Sequence, residues 1–275
     1  MVTDAAGGMM PTWSGGDVEG DGATIHFTRT GHGDKPPLVL AHGFSDNGLC
    51  WSRTARALET DFDVVMIDSR NHGGSGTGPG DAAHLADDVL AVVSGLGLGP
   101  VSAMGHSIGA RMVAEFAAIN PGLVARLVLE DPPWRADQRP AAEASDRADQ
   151  IRAYIGSLGK MSTAELLDLG RTQHSEWDEE EYPAWVDAKR QLRAEAADSL
   201  SLGDWAAVAA RIDCPTLLVC GDPDRGAIVT PEIAAQVVAA NSAVSTMLID
   251  GAGHNIRREQ FERFVEVVGE FLRDG

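Results

Sequence analysis

A serine between two glycines is the pattern in this chain that best fits nucleophilic chemistry. It stands in Gly105-His106-Ser107-Ile108-Gly109, which follows a short apolar segment and precedes apolar residues at helical spacing. Strand, tight turn and helix in that order lift a serine clear of a sheet. We expect glycine at both ends because any side chain there would strike the neighbouring strand or helix. Backbone N–H groups at the helix N-terminus would stabilise a developing negative charge.

A histidine and two aspartates that could assist Ser107 follow other apolar segments. His254 comes late in the chain, and Asp131 and Asp224 lie between it and the serine. A serine hydroxyl is a poor nucleophile until a base takes its proton, and histidine suits that task near neutral pH. An acid then holds the histidine tautomer and stabilises the imidazolium. The residue types therefore predict a nucleophile, an acid and a base, in that chain order.

Short apolar strands alternating with helices must position these residues. Besides the strand before Ser107, we predict strands near residue 18 and at 23–28, 37–41, 63–67, 126–130, 215–220 and 246–249. Besides the helix after Ser107, we predict helices at 51–58, 84–93, 146–158, 163–169, 183–197, 231–240 and 259–272. Most of these strands are apolar throughout, which indicates a mostly parallel sheet with helices on both faces.

The alternation stops between residues 132 and 210, where helical patterns dominate. We predict a helical cap at 132–210, a core at 17–131 and 211–275, and a flexible leader at 1–16. Four of the six tryptophans lie in the cap: Trp134, Trp177, Trp185 and Trp205. They either line the substrate site or pack the cap itself, and we name Trp134, Trp177 and Trp185 as candidate substrate contacts.

Composition limits the classes of partner. The 275 residues carry a formal net charge of −19, which argues against binding to nucleic acid or to an anionic membrane. The three cysteines have no metal-ligand spacing and indicate buried free thiols in a reducing, cytoplasmic setting. No apolar stretch is long enough for a membrane span. We expect a small-molecule partner, and the sequence does not indicate an oligomeric state.

Five motifs spread along residues 18–272 together resemble the α/β-hydrolase superfamily. They are HGF at 42–44, DSRNHGGSG at 68–76, GHSIGA at 105–110, GDPD at 221–224 and GAGH at 251–254. The resemblance implies an α/β-hydrolase fold with a mostly parallel eight-stranded sheet and an inserted helical cap. One departure is Asn71, where relatives usually carry glycine, and it bears on the geometry of that loop.

The resemblance also implies roles for individual residues. Ser107 would be the nucleophile and His254 the base, while the backbone N–H groups of Phe44 and Ile108 would form the oxyanion hole. His42, His72 and His106 would serve loop hydrogen bonds and packing. Arg111, one turn into the helix after the serine, is interpreted as a packing or ion-pair residue, with binding of a substrate carboxylate as the alternative.

The acid has more than one candidate. Asp224 is preferred because it ends a G-x-x-D turn after a predicted strand, in the place usual for the superfamily. Asp131 follows the strand after the nucleophile, where Pro132-Pro133 would hold a carboxylate rigidly, and a minority of relatives place the acid there. Asp222 ranks third. We expect substitution of the true acid to be far more damaging than substitution of the others.

The function implied is hydrolysis of a small carboxylic ester, lactone, thioester or amide through a seryl acyl-enzyme, with no cofactor or metal. A serine rather than an aspartate nucleophile argues against a dehalogenase or epoxide hydrolase. C–C bond hydrolysis, perhydrolysis and elimination by related serine enzymes stay open. A protein of another class, a ligand receptor with slow turnover, is the remaining alternative.

Overall fold

The computed structural model of the protein describes residues 13–135, 141–200 and 204–274. The strands are β1 (Ser14–Glu19), β2 (Thr24–Arg29), β3 (Pro37–Ala41), β4 (Asp63–Ile67), β5 (Val101–His106), β6 (Val124–Glu130), β7 (Thr216–Cys220) and β8 (Val244–Leu248). The α-helices are α1 (Ser52–Leu58), α2 (Ala82–Gly95), α3 (Ile108–Ile119), α4 (Ala141–Leu158), α5 (Thr163–Gln173), α6 (Glu181–Gln191), α7 (Trp205–Ala209), α8 (Pro231–Ala240), α9 (Ile256–Glu259) and α10 (Phe261–Arg273). Short 3-10 helices cover Gly48–Trp51, Ala194–Leu200 and Pro223–Arg225.

The strands form one sheet in the order β1-β2-β4-β3-β5-β6-β7-β8. Strands β3 to β8 are parallel to one another, and β2 runs antiparallel to β1 and β4. Alternate side chains of β3 enter different cores. Val39 packs with residues of α2 and α3, while Leu40 packs with residues of α1 and α10. The predicted eight-stranded, mostly parallel sheet with helices on both faces is confirmed. Strands such as β3 are apolar throughout because helices cover both faces of the sheet.

The carboxyl ends of three adjacent strands carry the predicted site. Strand β5 leads into Ser107, while β3 on one side leads into the loop of Phe44 and β6 on the other leads into Asp131. Parallel strands end at the same edge of a sheet, where open α/β sheets place their sites. The strand order therefore brings these loops together although they are far apart in the chain.

A helical insertion, α4 to α6 with the 3-10 helix Ala194–Leu200, separates β6 from β7. Helices α5 and α6 share a small core of their own, and α6 also contacts the 3-10 helix Gly48–Trp51 after β3. Helix α7 instead packs against α3 and α8 and joins the main core. The structure thus associates α7 with the sheet, although the sequence places it inside the 132–210 cap.

The N-terminal strand corrects one boundary. The predicted leader covers 1–16, but Ser14 to Gly16 belong to β1 and pair with Phe27 to Arg29 of β2. The antiparallel pairing of β1 with β2 runs from Glu19 and Thr24, beside the turn, to Ser14 and Arg29. Residues 1–12 of the leader lie outside the described part of the chain.

Candidate active site

The turn that carries Ser107 is shaped by glycines. A Cβ at Gly105 would collide with the backbone of Gly109, and a Cβ at Gly109 would collide with the carbonyls of Ala41 and His42. These are backbone atoms, which cannot move aside as a flexible side chain would. Ser107 itself has φ 53° and ψ −120°, a positive-φ conformation that costs a non-glycine residue on the order of 1–3 kcal/mol. The steric reason predicted for both glycines is confirmed.

His254 is paired with Asp131. The two atoms Nδ1 of His254 and Oδ2 of Asp131 are 2.6 Å apart, and the carboxylate is fully buried while the imidazole is 29% exposed. The backbone N–H of Ile228 donates to Oδ2 at 2.8 Å, and that of Val229 donates to Oδ1 at 2.9 Å. Because the Nδ1 proton points at the carboxylate, the other ring nitrogen of His254 is left as an acceptor.

The preference for Asp224 over Asp131 as the partner of the histidine is wrong. Asp224 is exposed in the 3-10 turn after β7, where its backbone N–H donates to Oδ1 of Asp222 at 2.9 Å. That turn folds the chain back so that Ile228 and Val229 reach the carboxylate of Asp131. The loop after β7 therefore contributes two backbone donors, and the acidic group comes from the strand beside the serine.

The loop after β3 lies against the serine. A Cβ at Gly43 would stand 3.4 Å from Cβ of Ser107 and 2.6 Å from Nδ1 of His106, so the backbone of this loop passes directly beside Ser107. Phe44 and Ser45 form the turn closed by the bond from Asp46 N–H to the Gly43 carbonyl at 3.1 Å. Ile108 is the first residue of α3, so its N–H has no acceptor within the helix. The arrangement is compatible with the predicted oxyanion donors Phe44 and Ile108.

Two buried histidines brace these loops. His42 donates from Nδ1 to the Gly43 carbonyl at 2.8 Å and accepts at Nε2 from the Ser69 N–H at 3.0 Å. His106 donates from Nε2 to the His254 carbonyl at 2.9 Å. Burial lowers the pKa of His42 to about 4 and that of His106 well below its usual value. Both are therefore neutral near pH 7 and suited to hydrogen bonding rather than to proton transfer.

Asn71, which stands where glycine was expected, adopts a backbone conformation that suits glycine. Its φ is 68°, a conformation that glycine adopts without cost and that asparagine tolerates better than most residues. The Asn71 side chain also bonds the backbone of Gly78 twice, donating at 2.9 Å and accepting at 3.0 Å. The loop keeps its shape because the asparagine supplies both the backbone conformation and a local clamp.

The candidate substrate contacts are packed inside the protein. Trp134 stacks on Trp205 in the main core, with ring centroids 5.8 Å apart, and Trp177 and Trp185 belong to the core shared by α5 and α6. All three candidates are at most 6% exposed. The interpretation that the tryptophans pack the protein is therefore the one the structure favours. Arg111 is buried and lies 3.8 Å from Glu115, as an ion-pair residue would.

Sequence reasoning overlooked a buried group of charged residues beside the site. Its members, called here the charge cluster, are Asp46, Glu130, Glu181, Lys189, Arg257 and Arg258. The available signal was position: Asp46 stands two residues after Phe44, Glu130 directly precedes Asp131, and Arg257 follows His254 by three residues. Charged residues are seldom fully buried unless they are paired, so their burial was not predictable from the pattern alone.

Two further features were sought in the described part of the chain. Within residues 13–135, 141–200 and 204–274, no three or more His, Cys, Asp or Glu side chains are grouped as metal ligands would be. None of the helices described is both long enough and apolar enough to cross a membrane.

The fold and the placement of the serine, histidine and aspartate define a class, the α/β hydrolases. Residues 38–267 match the Alpha/beta hydrolase family, and the chain belongs to that family. It is a hydrolase by family and by its relatives.

Three similar proteins illustrate this. N-formylmaleamate deformylase of Pseudomonas putida is 27% identical over 267 residues, covering 94% of this chain and 96% of the relative. (E)-2-((N-methylformamido)methylene)succinate hydrolase of Acinetobacter baylyi is 25% identical over 78% of this chain and 82% of its own. A thermophilic esterase of Thermogutta terrifontis, solved with malate bound, has a TM-score of 0.76 and 25% identity, covering 94% of this chain and 98% of that one.

Proposed function

We propose that the protein hydrolyses a small carboxylic ester, lactone, thioester or amide through an acyl-enzyme on Ser107. The observation that carries the proposal is the 2.6 Å contact between His254 and a buried carboxylate, Asp131, that two backbone amides also bind. A carboxylate held this firmly keeps the imidazole in one tautomer, which is the role of the acid in a Ser-His-Asp triad. The serine turn then supplies the nucleophile.

The proposed reaction has two halves. As Oγ of Ser107 attacks the acyl carbon, Nε2 of His254 takes the hydroxyl proton, and the carbonyl oxygen becomes an oxyanion that the Phe44 and Ile108 N–H groups bind. The intermediate collapses when His254 returns the proton to the leaving oxygen, sulfur or nitrogen, which departs and leaves the acyl-serine. Water then attacks this ester by the same route and releases the acid. Asp131 stays ionised throughout and stabilises the imidazolium.

A substrate that carries a carboxylate is favoured within this range. The two curated relatives are named for maleamate and succinate derivatives, and the Thermogutta esterase structure holds malate, all of them carboxylates. In this chain, Nη1 of Arg193 is buried without a hydrogen-bond partner among the described residues. The Arg193 N–H binds the Asn71 carbonyl at 3.0 Å, and the adjacent Leu192 packs near Phe44. A buried guanidinium nitrogen without a partner is costly, and a carboxylate is the partner it suits best.

A panel of acyl substrates with the Ser107→Ala variant tests the proposal. Matched nitrophenyl esters of butyrate and of monosuccinate differ in one carboxylate, and nitroanilides and thioesters extend the panel. We expect multiple turnover with at least one of them, and a loss of about 10⁴- to 10⁶-fold in the variant. Residual activity above a few per cent of wild type would contradict Ser107 as nucleophile. A single stoichiometric burst without turnover would favour the slow receptor.

The succinyl ester decides the carboxylate question in the same panel. We expect it to be hydrolysed with the higher kcat/KM, and Arg193→Met to remove that advantage while leaving the butyryl ester unchanged. Arg190→Met, which changes an exposed arginine of α6, is the matched control. Equal rates for the two esters in wild type would refute the carboxylate preference and leave the acyl-enzyme proposal intact.

A further inference from the structure

Lys189 is a buried lysine that reaches from the helical insertion to the loop of Phe44. It lies on α6 and is 3% exposed, and its Nζ donates to the Ser45 carbonyl at 2.8 Å and to Ser45 Oγ at 2.9 Å. Nζ also lies 4.4 Å above the Trp185 ring and 3.6 Å from Oδ1 of Asp46. A surface lysine would keep its charge in water, so this burial requires the specific acceptors that Ser45 and Asp46 provide.

The acceptor of Lys189 sits in a strained turn. Ser45 has φ 63°, the left-handed region that glycine favours, and it directly follows Phe44, whose N–H is a proposed oxyanion donor. A turn of this kind relaxes toward other conformations unless its surroundings hold it. Two charge-assisted hydrogen bonds from one ammonium group are among the stronger restraints available. Lys189 thereby fixes the orientation of the Ser45–Asp46 peptide. The Asp46 N–H of that peptide binds the carbonyl of Gly43, which belongs to the same peptide unit as the Phe44 N–H.

The charge cluster extends this restraint to the other loops of the site. Arg257 and Arg258 each place a guanidinium nitrogen 3.1 Å from Oδ2 of Asp46. Arg257 also bonds Glu130, from its backbone N–H at 2.8 Å and from its guanidinium at 3.2 Å. The strand end beside Asp131 and the helix after His254 are thus joined to the loop of Phe44.

The same cluster reaches back into the insertion. Arg258 pairs at 3.1 Å with Glu181, which lies on α6 two turns before Lys189. Helix α6 therefore contacts the cluster at two points, once through a carboxylate and once through an ammonium group. An insertion that merely covered the site would not need to bury charges of both signs against it, because such burial is costly and easily replaced by apolar packing.

We propose that Lys189 is a positioning residue, through which docking of helix α6 sets the Phe44 N–H in the geometry that binds the oxyanion. The inference rests on the proposed acyl-enzyme mechanism. An oxyanion donor acts in the transition state, where the carbonyl oxygen carries charge, and contributes little to binding of the uncharged ground state. Loss of the Lys189 restraint must therefore lower kcat and leave KM nearly unchanged.

The test compares Lys189→Met with Lys160→Met, which removes an exposed lysine from the same insertion. The measurements are kcat per active site titrated by the acylation burst, KM, and the inhibition constant of a trifluoromethyl ketone that forms a tetrahedral oxyanion on Ser107. For Lys189→Met we expect kcat to fall about 10- to 100-fold, part of the loss from deleting a whole donor. The ketone should weaken by the same factor while KM changes less than about threefold. Lys160→Met should match wild type.

A second variant keeps the test decisive if Lys189→Met does not fold. Ser45→Gly leaves every charge in place, removes the Oγ acceptor and relieves the φ of 63°, so the turn loses restraint without a buried unpaired group. We expect a smaller fall in kcat, about 3- to 10-fold, again matched by the ketone. Unchanged kcat in Lys189→Met, or in Ser45→Gly where Lys189→Met does not fold, would overturn the positioning role. A rise in KM without a parallel loss of ketone affinity would overturn it as well.

Failure of the mechanism itself would look different. If Ser107→Ala retained activity, the proposed function would fall whatever Lys189→Met did. If Ser107→Ala is inactive and Lys189→Met is normal per titrated site, only the positioning role is refuted.

Discussion

Around Ser107 the backbone itself fills the space, and neither Gly105 nor Gly109 leaves room for a single methyl group. In the helical insertion, the three atoms nearest to a Cβ at Gly170 belong to the rings of Tyr182 and Trp185, at 3.1 to 3.3 Å. The serine turn is held by peptide groups that no side-chain movement relieves, whereas the insertion is held by aromatic packing and buried ion pairs. The comparison teaches that an added side chain in the serine turn would require the backbone to move, whereas one at Gly170 would require only aromatic side chains to shift.

The acid provides the largest expected contrast within the site. Asp131→Asn leaves a side chain of the same shape but removes the charge that stabilises the imidazolium, so we expect kcat to fall roughly 10⁴-fold. Asp224→Asn, in the exposed turn after β7, should change kcat by less than about threefold. Steady-state kinetics on one Ser107-dependent substrate measures both. An active Asp131→Asn enzyme would mean that another group orients His254.

Glycine substitutions compare the two regions directly. Gly109→Ala places a methyl group against the Ala41 and His42 carbonyls, and we expect it to destabilise the protein by about 3 kcal/mol or more. The atoms nearest to the new methyl group of Gly170→Ala are ring atoms that can shift by a few tenths of an ångström, and alanine gains helix propensity, so the net change should stay within about 1 kcal/mol. Chemical denaturation followed by circular dichroism gives both free energies of unfolding. Equal effects would show that the insertion is packed as rigidly as the serine turn.

Buried neutral histidines near the serine make a pH-dependent contribution to the free energy of unfolding. Burial lowers the pKa of His42 from 6.5 to about 4, so below pH 6.5 the unfolded chain binds a proton that the folded protein does not. Stability from this group is therefore present above pH 6.5 and is lost as the pH falls toward 4, at up to about 1.4 kcal/mol per pH unit.

The free energy of unfolding, measured from pH 7 to pH 4, reveals that slope. His42→Gln keeps a donor and an acceptor but no titrating group, and its stability should fall less steeply than that of wild type. His32→Gln, which changes an exposed histidine, should follow the wild-type curve. A His42→Gln curve parallel to wild type would mean that His42 is not held neutral.

The local parts of the site were readable from the sequence. Strand β3 spans Pro37–Ala41 and helix α8 spans Pro231–Ala240, both as predicted, because apolar runs and Pro or Gly punctuation act over a few residues. The turn around Ser107 was predictable for the same reason, since close packing of backbone there admits only glycine at two positions. The candidate base followed from its place after the last strand.

Long-range contacts decided the rest. Whether Asp131 or Asp224 meets His254 depends on where the loop after β7 turns back and on which amides that loop presents, and no pattern near either aspartate encodes this. The tryptophans were equally ambiguous, because an aromatic side chain satisfies a protein core and a ligand pocket by the same burial. The role inferred for Lys189 exists only because Ser45 and Asp46, 144 and 143 residues earlier in the chain, supply acceptors for its charge. A buried charge is stable only with such partners, and partners distant in sequence are brought together by the tertiary structure alone.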